Sequence, residues 1–145
     1  MMDTDTVVAA TRSPGGASAA LLRAVRASRV TLLATAPLCL EYEAVCARSE
    51  HVVAAGFGPG DLAVFLDALV ALVEPVEAWF LWRPQLRDPG DELVLEAAVN
   101  GQADAVVTFN RRDFGRNGVS PDVPGASRFG VEVVLPAEAI RRMRA

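Results

Sequence analysis

The stretch Ala105-Val106-Val107-Thr108-Phe109-Asn110-Arg111-Arg112-Asp113-Phe114 decides how the rest of the chain is read. Residues 105–109 form a short, almost wholly apolar run, the pattern of a strand buried on both faces. It breaks into a polar turn that carries Asp113, so a carboxylate is expected just beyond the strand's C-terminal end. Working outward, residues 30–34, 76–82 (rich in Val, Phe and Trp) and 131–135 read as further strands. Helices are expected between them. Ser18 is read as the cap of one through Leu21, Leu22 and Val25, and Thr35 as the cap of another, with Pro37 in its first turn, reaching about Arg48. Asp61 opens an apolar helix from 62 to about 73. Asp91 is read as the cap of a helix through Leu95, Ala97 and Ala98 that Gly101 ends. Pro136 starts a terminal helix whose end, Arg141-Arg142-Met143-Arg144, suits a helix C-terminus. Strands alternating with helices imply an α/β fold with a mostly parallel central sheet, as one domain over residues 1–145.

Composition narrows the function classes. Hydrophobic residues make up 52% of the 145, enough for a folded core. No apolar run approaches the ~18 residues of a membrane span, and the N-terminus lacks a signal-peptide pattern, so a cytoplasmic protein without a membrane partner is expected. Net charge is −4, which argues against gripping a long duplex with a broad basic face. One histidine, His51, and two cysteines, Cys39 and Cys46, make a zinc site improbable. The cysteines lie two helical turns apart, about 10 Å, too far for a disulfide, and are expected to be buried and reduced. His51 is read as solvent-facing near a helix end. Gly56-Phe57-Gly58-Pro59-Gly60 lacks the Lys-Ser/Thr of a phosphate-binding loop, and its proline removes an N–H from any cradle.

Four acidic stretches remain: Asp3-Thr4-Asp5-Thr6, Glu41-Tyr42-Glu43, Asp88-Pro89-Gly90-Asp91-Glu92, and the turn ending in Asp113. Each falls where a strand or helix begins or ends, and in parallel sheets ligands bind beyond the strands' carboxyl ends. Clustered carboxylates repel one another until a cation neutralises them, which points to Mg²⁺ or Mn²⁺. Each acid also has a structural explanation: terminal residues, a solvated helix face, an N-cap at Asp91, a turn at Asp88, a local bond at Asp113.

The stretches 3–18, 40–45, 86–92 and 103–114, together with Val131-Glu132-Val133-Val134-Leu135-Pro136-Ala137-Glu138-Ala139, resemble in order the PIN-domain family. The closest branch is the toxin components of bacterial toxin–antitoxin systems, related to VapC toxins. The resemblance implies a PIN-like three-layer sandwich with a mostly parallel central sheet flanked by helices. It carries the family's acids onto Asp3, Glu41, Asp91 and, in the fourth motif, Asp113, with Asn110 at a position often held by Asp. Thr4, Asp88 and Thr108 would support the site, and Arg12, Arg111 and Arg112 would hold substrate phosphates. It further implies Mg²⁺- or Mn²⁺-dependent hydrolysis of RNA leaving a 5′-phosphate, and a cognate antitoxin protein as partner. The apolar helix at 62–73 is read as core, with homodimerisation as its other use. Two departures stand out. Asp5 replaces the family's Asn and adds negative charge. Only Met1 and Met2 precede Asp3 where the family has an apolar strand, so the first strand reads as truncated. The alternative is a catalytically impaired domain that only binds RNA or a partner.

Overall fold

A computed structural model of the chain describes residues 1–79, 89–114 and 130–145. The elements in chain order are α1 (Thr4–Arg12), α2 (Ala17–Arg26), β1 (Leu32–Ala34), α3 (Ala36–Cys46), α4 (Ser49–Ala55), α5 (Asp61–Leu72), β2 (Val73–Pro75), α6 (Pro89–Asn100), β3 (Ala105–Val107), α7 (Arg111–Phe114), β4 (Glu132–Val134) and α8 (Pro136–Arg144). This is an α/β sandwich in which every strand pairing among the described residues is parallel. The strands form two pairs. Leu32 faces Val73 in β1–β2, and Val106 faces Val133 in β3–β4. Helix α6 packs against both β1 and β3, so its buried Val94, Leu95, Ala97 and Ala98 join the two pairs into one core.

The residues ahead of Asp3 complete the sheet on the free side of β3. Met2 bridges Val107, the Val107 N–H donates to the Met1 carbonyl at 2.9 Å, and the Asp3 N–H donates to the Val107 carbonyl at 2.9 Å. Two residues therefore do the work of a strand end. Tyr42, buried in α3, donates its hydroxyl to the Met2 carbonyl and ties this edge to the helices. These bonds fix the backbone at Asp3.

Other expectations shift. No helix was read at the N-terminus, yet α1 forms, capped by Asp3. Helix α2 is capped at Gly16, not at Ser18, whose side chain is buried. Thr35 caps α3 as expected, accepting from the Leu38 N–H. Helix α6 begins at Pro89, which places Asp91 inside its first turn rather than at the cap. Gly101 ends α6 for a steric reason: an added Cβ would lie 2.8 Å from Val76 Cγ2 and 2.9 Å from the Ala97 carbonyl oxygen. The left-handed position falls on Gln102, at φ 51. The strand expected at 76–82 is instead Val73–Pro75; residues 76–79 follow it without strand structure, and Trp79 is 77% exposed. Residues 80–82, Asp88 and residues 115–129 lie outside the described residues.

Helix α5 buries only Leu69 completely, leaving Val64 and Val70 at 69% and 55% exposure. Cys39 and Cys46 are free thiols; Cys46 is buried, which pushes it up to about 11, and Cys39 is half-buried. No helix among the described residues is long and apolar enough to cross a membrane.

Candidate functional site

At the C-terminal end of β3 the chain opens into a cavity of about 450 Å³. Asp3, Glu41, Asp91 and Asp113, the four acids singled out from the sequence, all line it, with Thr4, Asp5, Arg12 and Asn110. They arrive from four segments: the cap of α1, the middle of α3, and the first turns of α6 and α7. On α3, Tyr42 points into the core, Glu41 lines this cavity, and Glu43 lines a separate apolar groove between α3 and α5. First-turn carboxylates such as Asp91 and Asp113 gain from the positive end of a helix, although α7 is a single turn.

Asp3 is the most constrained of these groups. It is 7% exposed, and one carboxylate oxygen caps α1 by accepting from the Thr4 N–H at 2.7 Å. The other accepts from Thr108 Oγ1, also at 2.7 Å. Thr108 is itself fixed, since its hydroxyl oxygen accepts from the Asn110 N–H at 2.9 Å. Asp5 completes the corner by accepting from the Phe109 N–H at 3.2 Å; Thr6 Oγ1 lies 3.0 Å from both an Asp5 oxygen and the Val107 carbonyl and shares its one proton between them. A hydroxyl has one proton, so the 2.7 Å contact to Asp3 is the Thr108 bond, and Asp5, 3.4 Å away, receives little of it.

The electrostatics follow. Asp3 is pushed up to about 7, chiefly because burial strips water from its charge and next because Asp5 lies beside it; the bonds from Thr108 and Thr4 work in the opposite direction. A carboxylate held in that state gains from a cation. Among the described residues no three His, Cys, Asp or Glu side chains are grouped tightly enough to hold a metal ion by themselves. The donor set nevertheless fits Mg²⁺ or Mn²⁺. It consists of hard oxygens around a cavity roomy enough for a cation with part of its water shell, on the order of 200 Å³ if six waters take ~30 Å³ each.

The remaining predicted residues separate. Arg12 lines the cavity, whereas Arg111 and Arg112 do not, and Arg111 pairs with Glu138 at 3.3 Å. Asn110 donates its side-chain amide to Asp113 and so orients it. Asp88 lies outside the described residues. Sequence reading missed Arg48 and His51, which line the cavity from the start of α4. His51 is half-buried rather than solvent-facing, and its Nδ1 is buried with no hydrogen-bond partner among the described residues. Their spacing of three was the available signal, had the break between α3 and α4 been placed before Arg48.

A family model described as PIN domain matches residues 1–112, a span that contains Asp3, Glu41 and Asp91 and ends one residue before Asp113. No curated protein and no solved structure matches the chain.

Proposed function

This chain belongs to the PIN-domain family, whose members are generally nucleases, and we propose that it is a metal-dependent endoribonuclease acting as the toxin of a toxin–antitoxin pair in the cytoplasm. The observation that carries the reading is the meeting of Asp3, Glu41, Asp91 and Asp113 around one cavity, beside the Asp3–Thr108 bond. These four acids would hold Mg²⁺ or Mn²⁺. When bound, the ion offsets their repulsion, lowers the pKa of a nearby water and stabilises charge developing on the scissile phosphate.

The chain's own groups supply the rest. Thr108 and the Thr4 N–H hold Asp3 in one orientation, and Asn110 does the same for Asp113. Arg12 and Arg48, the two guanidinium groups that line the cavity among the described residues, are placed to bind substrate phosphate oxygens. Glu41 and Asp113, less buried than Asp3, are the acids positioned to take a proton from an attacking water. A cognate antitoxin would silence the site by covering it with a basic side chain. A homodimer through the exposed face of α5 belongs to the same reading.

The test is cleavage of labelled RNA with Mn²⁺, comparing wild type with Asp91→Asn. Loss of cleavage in the variant is expected, and equal cleavage by both overturns the mechanism. Growth arrest on expression of the wild type, relieved by Asp91→Asn, is the corresponding check on the toxin role. The second reading, a domain that binds RNA or a partner without cutting it, draws on the lack of a tight three-acid group among the described residues. It predicts RNA binding by the wild type with no Mn²⁺-dependent product.

A further inference from the structure

Away from the acidic cavity, α2 and α8 pack together and enclose a small pocket of about 160 Å³ lined by Ala20, Arg23, Arg29, Ile140, Met143 and Arg144. Among the described residues its lining carries three arginines and no carboxylate. The backbone sets where they emerge, and one is also bonded through its side chain. Arg23 Nη1 donates to the Pro14 carbonyl at 2.8 Å. Arg29 is turned back onto α2 because Ser28 takes the left-handed conformation, φ 55, that closes a Schellman motif. The Ser28 N–H donates to the Val25 carbonyl at 2.9 Å and the Arg29 N–H to the Ala24 carbonyl at 3.0 Å. Arg144 sits in the last turn of α8.

The surroundings extend the same charge. Arg26 lies one turn from Arg23, and Arg141 one turn from Arg144. Of the nearby acids, Glu132 pairs with Arg142, and Glu138 pairs with Arg111 and accepts from the Leu135 N–H, while Asp104 lines with Arg29 the adjoining cavity beside Met1. In a chain of net charge −4, Arg26 and Arg141 thus stand within a turn of arginines that line the pocket. All 14 basic residues of the chain are arginine, the side chain suited to bidentate phosphate contacts. The pocket volume matches about five waters, enough for one phosphate group with its hydration.

We infer that this arginine pocket is a second binding site, for backbone phosphate of single-stranded RNA that extends out of the acidic cavity. The inference rests on the ribonuclease reading for its choice of polyanion. The α1–α2 turn links the two sites: Arg12 lines the cavity, and Pro14, at most about 7.6 Å along the chain from it, accepts the bond from Arg23 of the pocket. RNA held at both sites would be bound in one direction across the α1–α2 turn.

Fluorescence anisotropy in the absence of divalent ions tests this, using the Asp91→Asn protein and the same protein carrying Arg29→Ala and Arg144→Ala. With a labelled RNA of about 12 nucleotides the double substitution is expected to weaken binding about tenfold. It should also reduce the slope of log K against log salt by about 1.4 between roughly 50 and 200 mM. Binding of a dinucleotide, too short to reach the pocket, should be the same for both proteins. Arg29→Lys with Arg144→Lys should retain most of the salt slope, separating charge from a packing defect. Equal affinity and slope for the longer RNA overturn the proposal. So does a poly-glutamate peptide that binds as tightly as RNA and is equally weakened, which assigns the face to an acidic protein. A wild type that binds RNA with the predicted arginine dependence but never cuts it would count against the nuclease reading alone.

Discussion

The two walls of the acidic cavity are built on opposite plans. On one, Asp3 and Asp5 are tied to β3 and the turn after it by hydrogen bonds spanning over 100 residues of chain: Asp3 to Thr108, Asp5 to Phe109, and Thr6 Oγ1 to the Val107 carbonyl at 3.0 Å. On the other, Glu41, Asp91 and Asp113 stand on helix surfaces and are only half-buried. The tied wall fixes geometry in advance but holds a buried carboxylate, Asp3, close to a second like charge, Asp5. The helical wall leaves its acids room to adjust. A site that must accept a hydrated cation and a phosphate gains from having one fixed and one adaptable side.

The sharpest way to break this comparison is to remove one acid from each wall. Asp3→Asn and Glu41→Gln should each reduce Mn²⁺-dependent RNA cleavage by at least about 100-fold. Their stabilities should diverge. Glu41→Gln should stay within about 0.5 kcal/mol of wild type, as for a surface change, whereas Asp3→Asn should be more stable at neutral pH. If both variants melt with the wild type at every pH, the walls do not differ in stored repulsion.

The pH dependence of that gain has a definite sign. Asp3 titrates near 3.8 when unfolded and is raised to about 7 in the fold, so the native state holds the extra proton between those values. Its contribution is fully present below about pH 4 and is lost as pH rises through about 7. The stability advantage of Asp3→Asn, followed by thermal or denaturant unfolding, should therefore be near zero at pH 4 and grow to a plateau above pH 7, on the order of a few kcal/mol. Mn²⁺ should raise the wild-type melting temperature above pH 7 and narrow the gap. A gap that widens toward acid contradicts the assignment.

Smaller effects probe the supports. Thr108→Val removes the donor to Asp3 and the acceptor for the Asn110 N–H, and should cost about 1–3 kcal/mol in denaturant unfolding. Asn110→Ala on the other wall, where the bond to Asp113 is exposed, should cost under about 1 kcal/mol while lowering activity. Equal losses from the two substitutions would remove the distinction between a buried and a solvated support.

Much of this arrangement was legible along the chain. Thr35 at the head of α3, the buried run of β3, Pro136 opening α8 and the acidic turns at helix starts all follow from chemistry acting within a few residues. The misreadings share a cause. Helix α1, rich in threonine and valine, has weak intrinsic propensity. Asp3 caps it and β3 holds it, and neither support is visible locally. The strand at Val73–Pro75 was displaced to 76–82 because β propensity favoured Val, Phe and Trp, while the register was set by β1, whose Ala34 carbonyl accepts from the Val76 N–H at 2.9 Å. Arg48 and His51 were missed because the helix was carried across the break that turns α4 toward the cavity.

By itself, then, the sequence determined the alternation of parallel strands and helices and the presence of acids at their ends, since patterning and capping are local forces. The tertiary structure decided which acids meet. It turned Glu41 toward the cavity and Glu43 away by burying Tyr42 between them. It also brought Asp3 within 2.7 Å of Thr108 across 105 residues. Only packing and long-range hydrogen bonding act over that separation, and they leave no periodic trace in the chain.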